Sequence, residues 1–428
     1  MKRIGIRRET KSVWEKRVPL IPEDVRELKE KYGIETVIQP SDIRIFPDEA
    51  FIEAGAVVSE KLDAPFIFGV KEMPVDFFEE GKTYIFFSHT IKAQEYNMPM
   101  LKRMIELKTT LIDYERIVDD NGKRLIAFGK FAGIAGMIDS LWALGKRFEL
   151  EGIKTPLSHV KRAYEYRSVK ELEEQSQHIG EEIERFGFPE EISPVVVGIA
   201  GYGNVSQGAQ EVLHFFPVQE VAPSELKNLK GERHHIYKVV FKEEDMVVRK
   251  DGGVFELQDY YNHPEKYQGI FENYLPYLTL LVNAIYWDER YPRLVTKDYL
   301  MENYVPGESK LKVIGDISCD INGAIECTEM ATEPGEPVYV YEPKQDRIVM
   351  GINGEGPVIL AVDILPSEVP MDASIYFSHI LKKFVPEIVN GKYPEDFERC
   401  TLPPYLKRAV IVYRGELTPD YRYLKEHL

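Results

Sequence analysis

Cysteine is scarce, with only Cys319, Cys327 and Cys400 among 428 residues. Three are too few for a disulfide framework, and they lie at no metal-ligand spacing. A reducing compartment is the default expectation. No stretch approaches the ~18 uninterrupted apolar residues of a membrane span. Positive charge is in deficit: Lys+Arg 54 against Asp+Glu 71 gives −17, which argues against a nucleic-acid partner. No targeting segment is expected either. Lys2, Arg3, Arg7 and Arg8 are followed by Glu9 and not by an apolar h-region, so the chain is expected to be cytoplasmic or to have lost its presequence. No repeat at a fixed period and no low-complexity tract interrupts it. What remains is an ordinary globular composition, 44% hydrophobic and 29% charged, long enough for two or three domains. The sequence leaves the oligomeric state open.

Strand and helix patterns alternate from the start. Arg3 to Arg7 reads as a strand. Pro22-Glu23-Asp24 opens a helix that Gly33 stops. Ile34–Ile38, Phe66–Val70 and Tyr84–Phe87 read as strands, the last two as runs buried on both faces of a parallel sheet. Met100–Leu107 reads as a helix, and Leu111-Ile112 and Leu125-Ile126-Ala127 as further strands. Helices are predicted at about 133–150 and over 169–185. The pattern restarts with Pro194–Ala200, and later strands fall within 277–285 and 311–317. A helix near 374–389 and a strand at 409–412 close the chain. Such alternation predicts parallel, doubly wound α/β structure.

Gly201-Tyr202-Gly203-Asn204-Val205-Ser206 follows the apolar strand directly, and a helical pattern follows it. This is the strand–turn–helix setting of a dinucleotide site, where the helix N-terminus offers free N–H groups to a pyrophosphate. Ser206 stands where a third glycine or alanine is usual. Glu220, 19 residues after Gly201, is placed to bind a ribose 2′-hydroxyl and favour NAD. Lys227, Lys230 and Arg233 are close enough in sequence to meet a 2′-phosphate instead. The residues alone leave NAD and NADP nearly even.

Four residues of the first half stand at or just past predicted strands: Arg17, Lys71, His89 and Glu115. Open α/β sheets build their ligand crevice at such strand ends. Singly, each has an ordinary structural explanation. Together, in one half-domain, they suggest a site.

These residues carry a resemblance. Arg8-Glu9-Thr10 with Glu15-Lys16-Arg17-Val18-Pro19-Leu20 resembles the opening of the lysine-forming saccharopine dehydrogenases, also called lysine–ketoglutarate reductases. Gly69–Pro74 is similar to that family's lysine motif. Phe86–Gln94 resembles its histidine motif, in the form found in the reductase half of bifunctional aminoadipic semialdehyde synthases. Ile112–Glu115, Ala132–Gly136, Gly203–Gln210, Asn283–Trp287, Asp316–Asp320 and Val362–Pro366 extend the match along nearly the whole chain. Alanine dehydrogenase and the nucleotide-binding part of transhydrogenase look like more distant relatives.

The resemblance implies two Rossmann-like lobes with a cleft between them. Residues 1–135 with about 355–428 would form the catalytic domain, and 136–354 the dinucleotide domain. The reaction implied joins the ε-amine of lysine to the ketone of 2-oxoglutarate and reduces the imine to saccharopine, reversibly. Lys71 would exchange a proton with the amine nitrogen. His89 would serve water addition and loss at the imine carbon. Glu72 and Glu115 would tune Lys71, and Asp320 would lie beside the nicotinamide and substrate. Arg17 looks like a substrate-carboxylate ligand, with Arg124 and Lys130 as further cations for the same purpose. Gly201, Gly203, Asn204, Val205, Ser206 and Glu220 would hold the nucleotide. No metal is expected. The histidine motif looks like that of the NADPH-using bifunctional enzymes, so NADP is the expected cofactor, with NAD, used by the fungal single enzymes, as the alternative. The chain ends at Leu428, so a second, glutamate-forming activity is expected to be absent. Two rivals stay open: another amino-acid dehydrogenase of the alanine dehydrogenase type, and a non-catalytic nucleotide-binding sensor on the same fold.

Overall fold

A computed structural model describes residues 2–428. The chain divides into two units: the segment up to Phe128 together with Pro370–Leu428, and Gly129–Val369.

The first unit is built on β1 (Lys2–Ile6), β2 (Ile34–Ile38), β3 (Val57–Val58), β4 (Phe66–Phe68), β5 (Thr83–Phe86) and β6 (Thr110–Asp113). They lie parallel in the order β6-β5-β4-β1-β2-β3. The chain's end completes the sheet. Val410–Tyr413 runs antiparallel against β6, and Glu416–Leu417 pairs with it in turn. β5 and β6 are buried throughout, as their unbroken apolar runs predict. The Pro22–Tyr32 helix carries proline in its first turn, Glu23 and Asp24 beside its positive end, and Gly33 at φ 63° as its left-handed stop. The Pro370–Asn390 helix ties down the loop after β1. Ser374 and Ser378 accept from the Val18 and Ile21 amides at 3.0 and 2.9 Å.

One predicted strand fails. Leu125-Ile126-Ala127 forms no ladder, although Ile126 is buried. The edge of β6 is already taken by Val410–Tyr413. The three residues are squeezed between a turn at Gly122 (φ 79°) and the helix that starts at Gly129. Burial without a free partner edge yields an extended loop. That helix, Gly129–Leu150, begins four residues before the predicted 133.

The second unit contains β7 (Val196–Ala200), β8 (Val218–Glu220), β9 (Ile236–Phe241), β12 (Leu280–Asn283), β13 (Val313–Asp316), β14 (Val338–Glu342), β15 (Arg347–Met350) and β16 (Val358–Leu360), plus a separate ribbon of β10 (Val247–Arg249) and β11 (Tyr267–Gly269). The main sheet runs β15-β14-β16-β13-β12-β7-β9-β8, parallel except at β14 and β15. The chain is therefore a mixed α/β protein with two large, mostly parallel, Rossmann-like sheets. The strand beside β7 is β9, and β8 lies outside it at the sheet edge.

Candidate active site

The first unit gathers ionisable groups at the carboxyl ends of β1, β4, β5 and β6. Two buried carboxylates lace these ends together. Glu9, just past β1, accepts the backbone N–H groups of Val70 and Lys71 beyond β4 at 2.7 and 3.1 Å. Burial pushes its carboxyl up to about 7, although Arg7 lies 3.6 Å away and pulls it down. Asp113 closes β6 and accepts the Ser88 amide at 3.0 Å, the Ser88 hydroxyl, and the Glu115 amide at 2.7 Å. Burial raises it to about 6. A carboxylate taking two or three such donors fixes the loops that carry Lys71, His89 and Glu115.

Lys71 is half-buried. Burial lowers its pKa, and the positive charge of Arg17 lowers it further, while Glu15 and Glu72 oppose. Glu72 accepts from Lys11 Nζ at 2.9 Å and lies 2.7 Å from His89 Nδ1. Burial would raise Glu72, but these hydrogen bonds outweigh it and hold its carboxyl at about 2. His89 has φ 49°, a conformation unusual for a residue with a side chain and one that clusters at functional sites. Asn97 Nδ2 donates to its carbonyl at 3.1 Å, and its ring stacks on Phe87 with planes 17° apart. Lys71, Glu72 and His89 thus come together.

Other nominated residues have different partners. Arg17 is not an open receptor for a substrate carboxylate. Its Nε and Nη2 donate to Glu15 at 2.7 and 2.5 Å, and its guanidinium packs over the Phe128 ring at 4.3 Å. Glu115 and Arg124 are ion-paired to each other, and Glu115 is not among the main charges acting on Lys71. Lys130 lies in the second unit, paired with Glu211 at 2.7 Å. Asp320 is exposed in the loop after β13, also in the second unit. Glu9, quoted in a motif but given no role, is the residue that the sequence reading missed. A carboxylate immediately after the first parallel strand was the clue.

In the second unit β7 ends at Ala200 and Gly201 turns the chain at φ 98°. A Cβ there would meet the Ala284 carbonyl at 2.8 Å. Gly203 caps the Asn204–Leu213 helix, and a Cβ on it would meet nothing within 4 Å. Free N–H groups facing open space at a helix start fit a dinucleotide pyrophosphate, with Asn204 and Val205 in the first turn. Ser206 is buried and accepts from Gln210 at 3.0 Å. Close helix packing comes instead from Gly208 and Gly133. Added Cβ atoms there would lie 1.9 Å from the Lys130 and Val205 carbonyls. Glu220 is corrected: it sits on the edge strand β8, with β9 between it and β7. It is exposed and ion-paired with Lys238 at 2.7 Å. Two strand spacings, about 10 Å, separate its ladder from that of β7. Asp316 stands where β12 and β13 end. It accepts from Asn283 at 2.8 Å and Thr328 at 2.6 Å, and burial lifts it to about 6. Among the described residues no helix is long and apolar enough to cross a membrane, and no His/Cys/Asp/Glu cluster could hold a metal ion.

The family "Alanine dehydrogenase/PNT, N-terminal domain" matches residues 5–135. The alpha-aminoadipic semialdehyde synthase of Arabidopsis thaliana is 39% identical over 444 residues, covering 98% of this chain and 41% of the relative. The mitochondrial enzyme of the same name from Mus musculus is 35% identical over 440 residues, covering 99% and 47%. The chain thus spans less than half the length of these relatives. A saccharopine dehydrogenase [NAD(+), L-lysine-forming] from Yarrowia lipolytica is 27% identical, covering 89% of this chain and 90% of the relative. Among solved structures, an L-alanine dehydrogenase aligns with TM-score 0.65 at 20% identity, covering 99% of each chain. A transhydrogenase from Sinorhizobium meliloti aligns with TM-score 0.55 at 15% identity, covering 97% of this chain and 99% of the other.

Proposed function

We propose, on the likeness to the aminoadipic semialdehyde synthases and to the alanine dehydrogenase/PNT N-terminal domain, that the chain is a lysine-metabolising oxidoreductase of that superfamily, acting on a CH–NH bond with a nicotinamide dinucleotide. Its substrates are lysine and 2-oxoglutarate and its product is saccharopine, in a reversible reaction. The observation that carries this reading is the half-buried Lys71, its pKa lowered by burial and by Arg17, beside the Glu72–His89 pair.

The chemistry divides into two parts. The lysine ε-amine adds to the ketone and water leaves, giving an imine. When bound, the nicotinamide supplies the hydride that reduces it. The protein moves protons. His89, held by Glu72, donates to the departing hydroxyl and takes a proton back in reverse. Lys71, lowered toward neutrality, exchanges a proton with the substrate nitrogen. Arg17 acts through its charge on Lys71, because its guanidinium is already engaged by Glu15. Glu9 holds the Lys71 loop in place. Gly201, Gly203 and the first turn of the Asn204–Leu213 helix would hold the pyrophosphate. Asp320 is assigned to the nicotinamide and substrate on the resemblance alone. Three free cysteines suit a reducing compartment, and we place the reaction in the cytoplasm.

The test is steady-state oxidation of NADH and NADPH with 2-oxoglutarate plus lysine, against pyruvate plus ammonia. Lysine-dependent turnover is expected. Turnover with pyruvate and ammonia alone would assign the alanine dehydrogenase type, and binding without turnover would leave a sensor.

A further inference from the structure

His89 is a strained residue, and one side chain holds its backbone. Its φ of 49° lies in the left-handed region that a residue with a Cβ seldom occupies. Such a conformation persists only where its surroundings fix it. The residues on either side are fixed. The Ser88 amide donates to Asp113 at 3.0 Å, and the Ser88 and Thr90 hydroxyls, both buried, share a hydrogen bond of 2.8 Å. These bonds leave the His89 carbonyl untouched, and among the described residues no backbone group bonds to it. Asn97 Nδ2 does, donating at 3.1 Å from a side chain only 4% exposed.

Asn97 has an ordinary use open to it and does not take it. The Met98–Glu106 helix starts at the next residue, and an asparagine before a helix commonly accepts one of its first amides. Here the side chain makes no cap bond, and Pro99, in the first turn, has no amide to offer. The amide group reaches back to His89 instead. The chemistry restricts what could replace it. The His89 carbonyl needs a donor, and an ionised aspartate of the same shape would bring an acceptor to an acceptor. The ring is held at its other end, where Nδ1 lies 2.7 Å from Glu72 and the face stacks on Phe87. With Nδ1 engaged, Nε2 is the nitrogen left to exchange a proton. Its aim follows from the backbone that Asn97 holds.

We propose that Asn97 is a positioning residue for His89, its side-chain amide fixing the left-handed turn from which the imidazole serves the imine carbon. This rests on the reading of His89 as the acid–base group. The experiment is a double-mutant cycle on the full chain: wild type, N97A, H89A and the two combined. Lysine-dependent oxidation of reduced nicotinamide with 2-oxoglutarate gives kcat and KM. Nucleotide fluorescence gives affinity, and denaturation curves check folding. N97D, which keeps the shape and removes the donor, takes the place of N97A should that variant not fold. N97A is expected to lower kcat about tenfold or more, with KM for lysine and nucleotide affinity within about twofold. H89A is expected to lose ~10²–10⁴ of turnover. Adding N97A to H89A should cost less than about twofold more, because the group that Asn97 aims is gone. An equal loss from N97A in both backgrounds would overturn the proposal, as would wild-type kcat in N97A beside a depleted H89A; both outcomes would leave His89 its role. Wild-type turnover in H89A would sink the reading of His89 on which the proposal stands.

Discussion

The two sheets share one scaffold and end in different chemistry. In the first unit the parallel strands run out into Glu9, Lys71, Glu72, His89 and Asp113. In the second they run out into Gly201, Gly203, Ala284 and Asn283. Both use buried carboxylates to bind loop donors, Glu9 and Asp113 on one side and Asp316 on the other. What differs is the group left facing outward. One unit presents proton donors and acceptors with displaced pKa values, and the other presents bare backbone and a shaped cavity. Proton traffic and nucleotide binding should therefore separate under mutation.

The largest effect should break them apart cleanly. Lys71→Met is expected to cut turnover by ~10²–10⁴ while leaving NADH affinity within about twofold. Gly201→Val should do the reverse. It demands a left-handed β-branched residue against the Ala284 carbonyl, so titrated nucleotide affinity should fall by about tenfold or more. Near-wild-type turnover by Lys71→Met would remove Lys71 from its role. A matching loss of nucleotide affinity would show that the units do not act separately.

A smaller effect sharpens the electrostatic side. Replacing Arg17 and Glu15 together by Met removes a buried pair without orphaning either charge. Arg17 acts on Lys71 more strongly than Glu15 does, so Lys71 should become more basic. In the saccharopine-oxidising direction, which needs neutral Lys71, the acid limb of kcat/KM should move to higher pH. Below that limb, each pH unit of displacement costs about tenfold in rate. An unmoved limb would show that Arg17 does not act through Lys71.

Much of this was legible in the sequence, for physical reasons that also mark the limits. Strand and helix periods identified β1, β2, β4 to β7, β12, β13 and the Val410–Tyr413 strand, and missed β3, β9 to β11 and β14 to β16. Strand-end logic selected Lys71 and His89, and the resemblance added Glu72, which follows Lys71 directly and lies 2.7 Å from the His89 ring. The failures share a cause: sequence distance does not give lateral order. Leu125-Ile126-Ala127 is apolar enough for a strand, but only the fold shows that Val410–Tyr413 already holds the edge of β6. Glu220 stands at a plausible separation from Gly201, but only the sheet order shows β9 lying between. Arg17 is a natural carboxylate ligand until Glu15, two residues away, is seen to fill its fork.

Glu72 offers a milder test on the first unit. Its carboxyl is held at about 2, below its ordinary 4.5. A depressed carboxylate stabilises the fold above its unfolded pKa, and that contribution is lost as pH falls from about 4.5 toward 2. Glu72→Gln should therefore lower stability at pH 7 by about 1–3 kcal/mol and converge on the wild type near pH 2, as read by chemical denaturation. A constant difference across that range would mean that Glu72 contributes packing only.

The second unit supplies the opposite sign and the smallest effect. Asp139 and Glu368 are buried together and hydrogen-bonded side chain to side chain, and the Ala163 amide donates to Asp139 at 2.7 Å. Burial lifts Asp139 to about 6 and Glu368 well above its ordinary range; Asp139 raises Glu368 further, while the hydrogen bond with Glu368 lowers Asp139. A raised carboxyl is harmless at low pH, where folded and unfolded chains are both protonated. It destabilises as pH climbs from about 4 through 6, because the unfolded chain ionises first. Glu368→Gln keeps the shape and removes one of the two protons in question. It should leave stability nearly unchanged at pH 4 and raise it by about 1 kcal/mol at pH 8. Turnover and nucleotide affinity should stay at wild-type values. A loss of stability at pH 8 would mean that the pair is held by a donor stronger than its own shared proton. The contrast with Glu72 would then fail, since both units would be relying on ionised carboxylates.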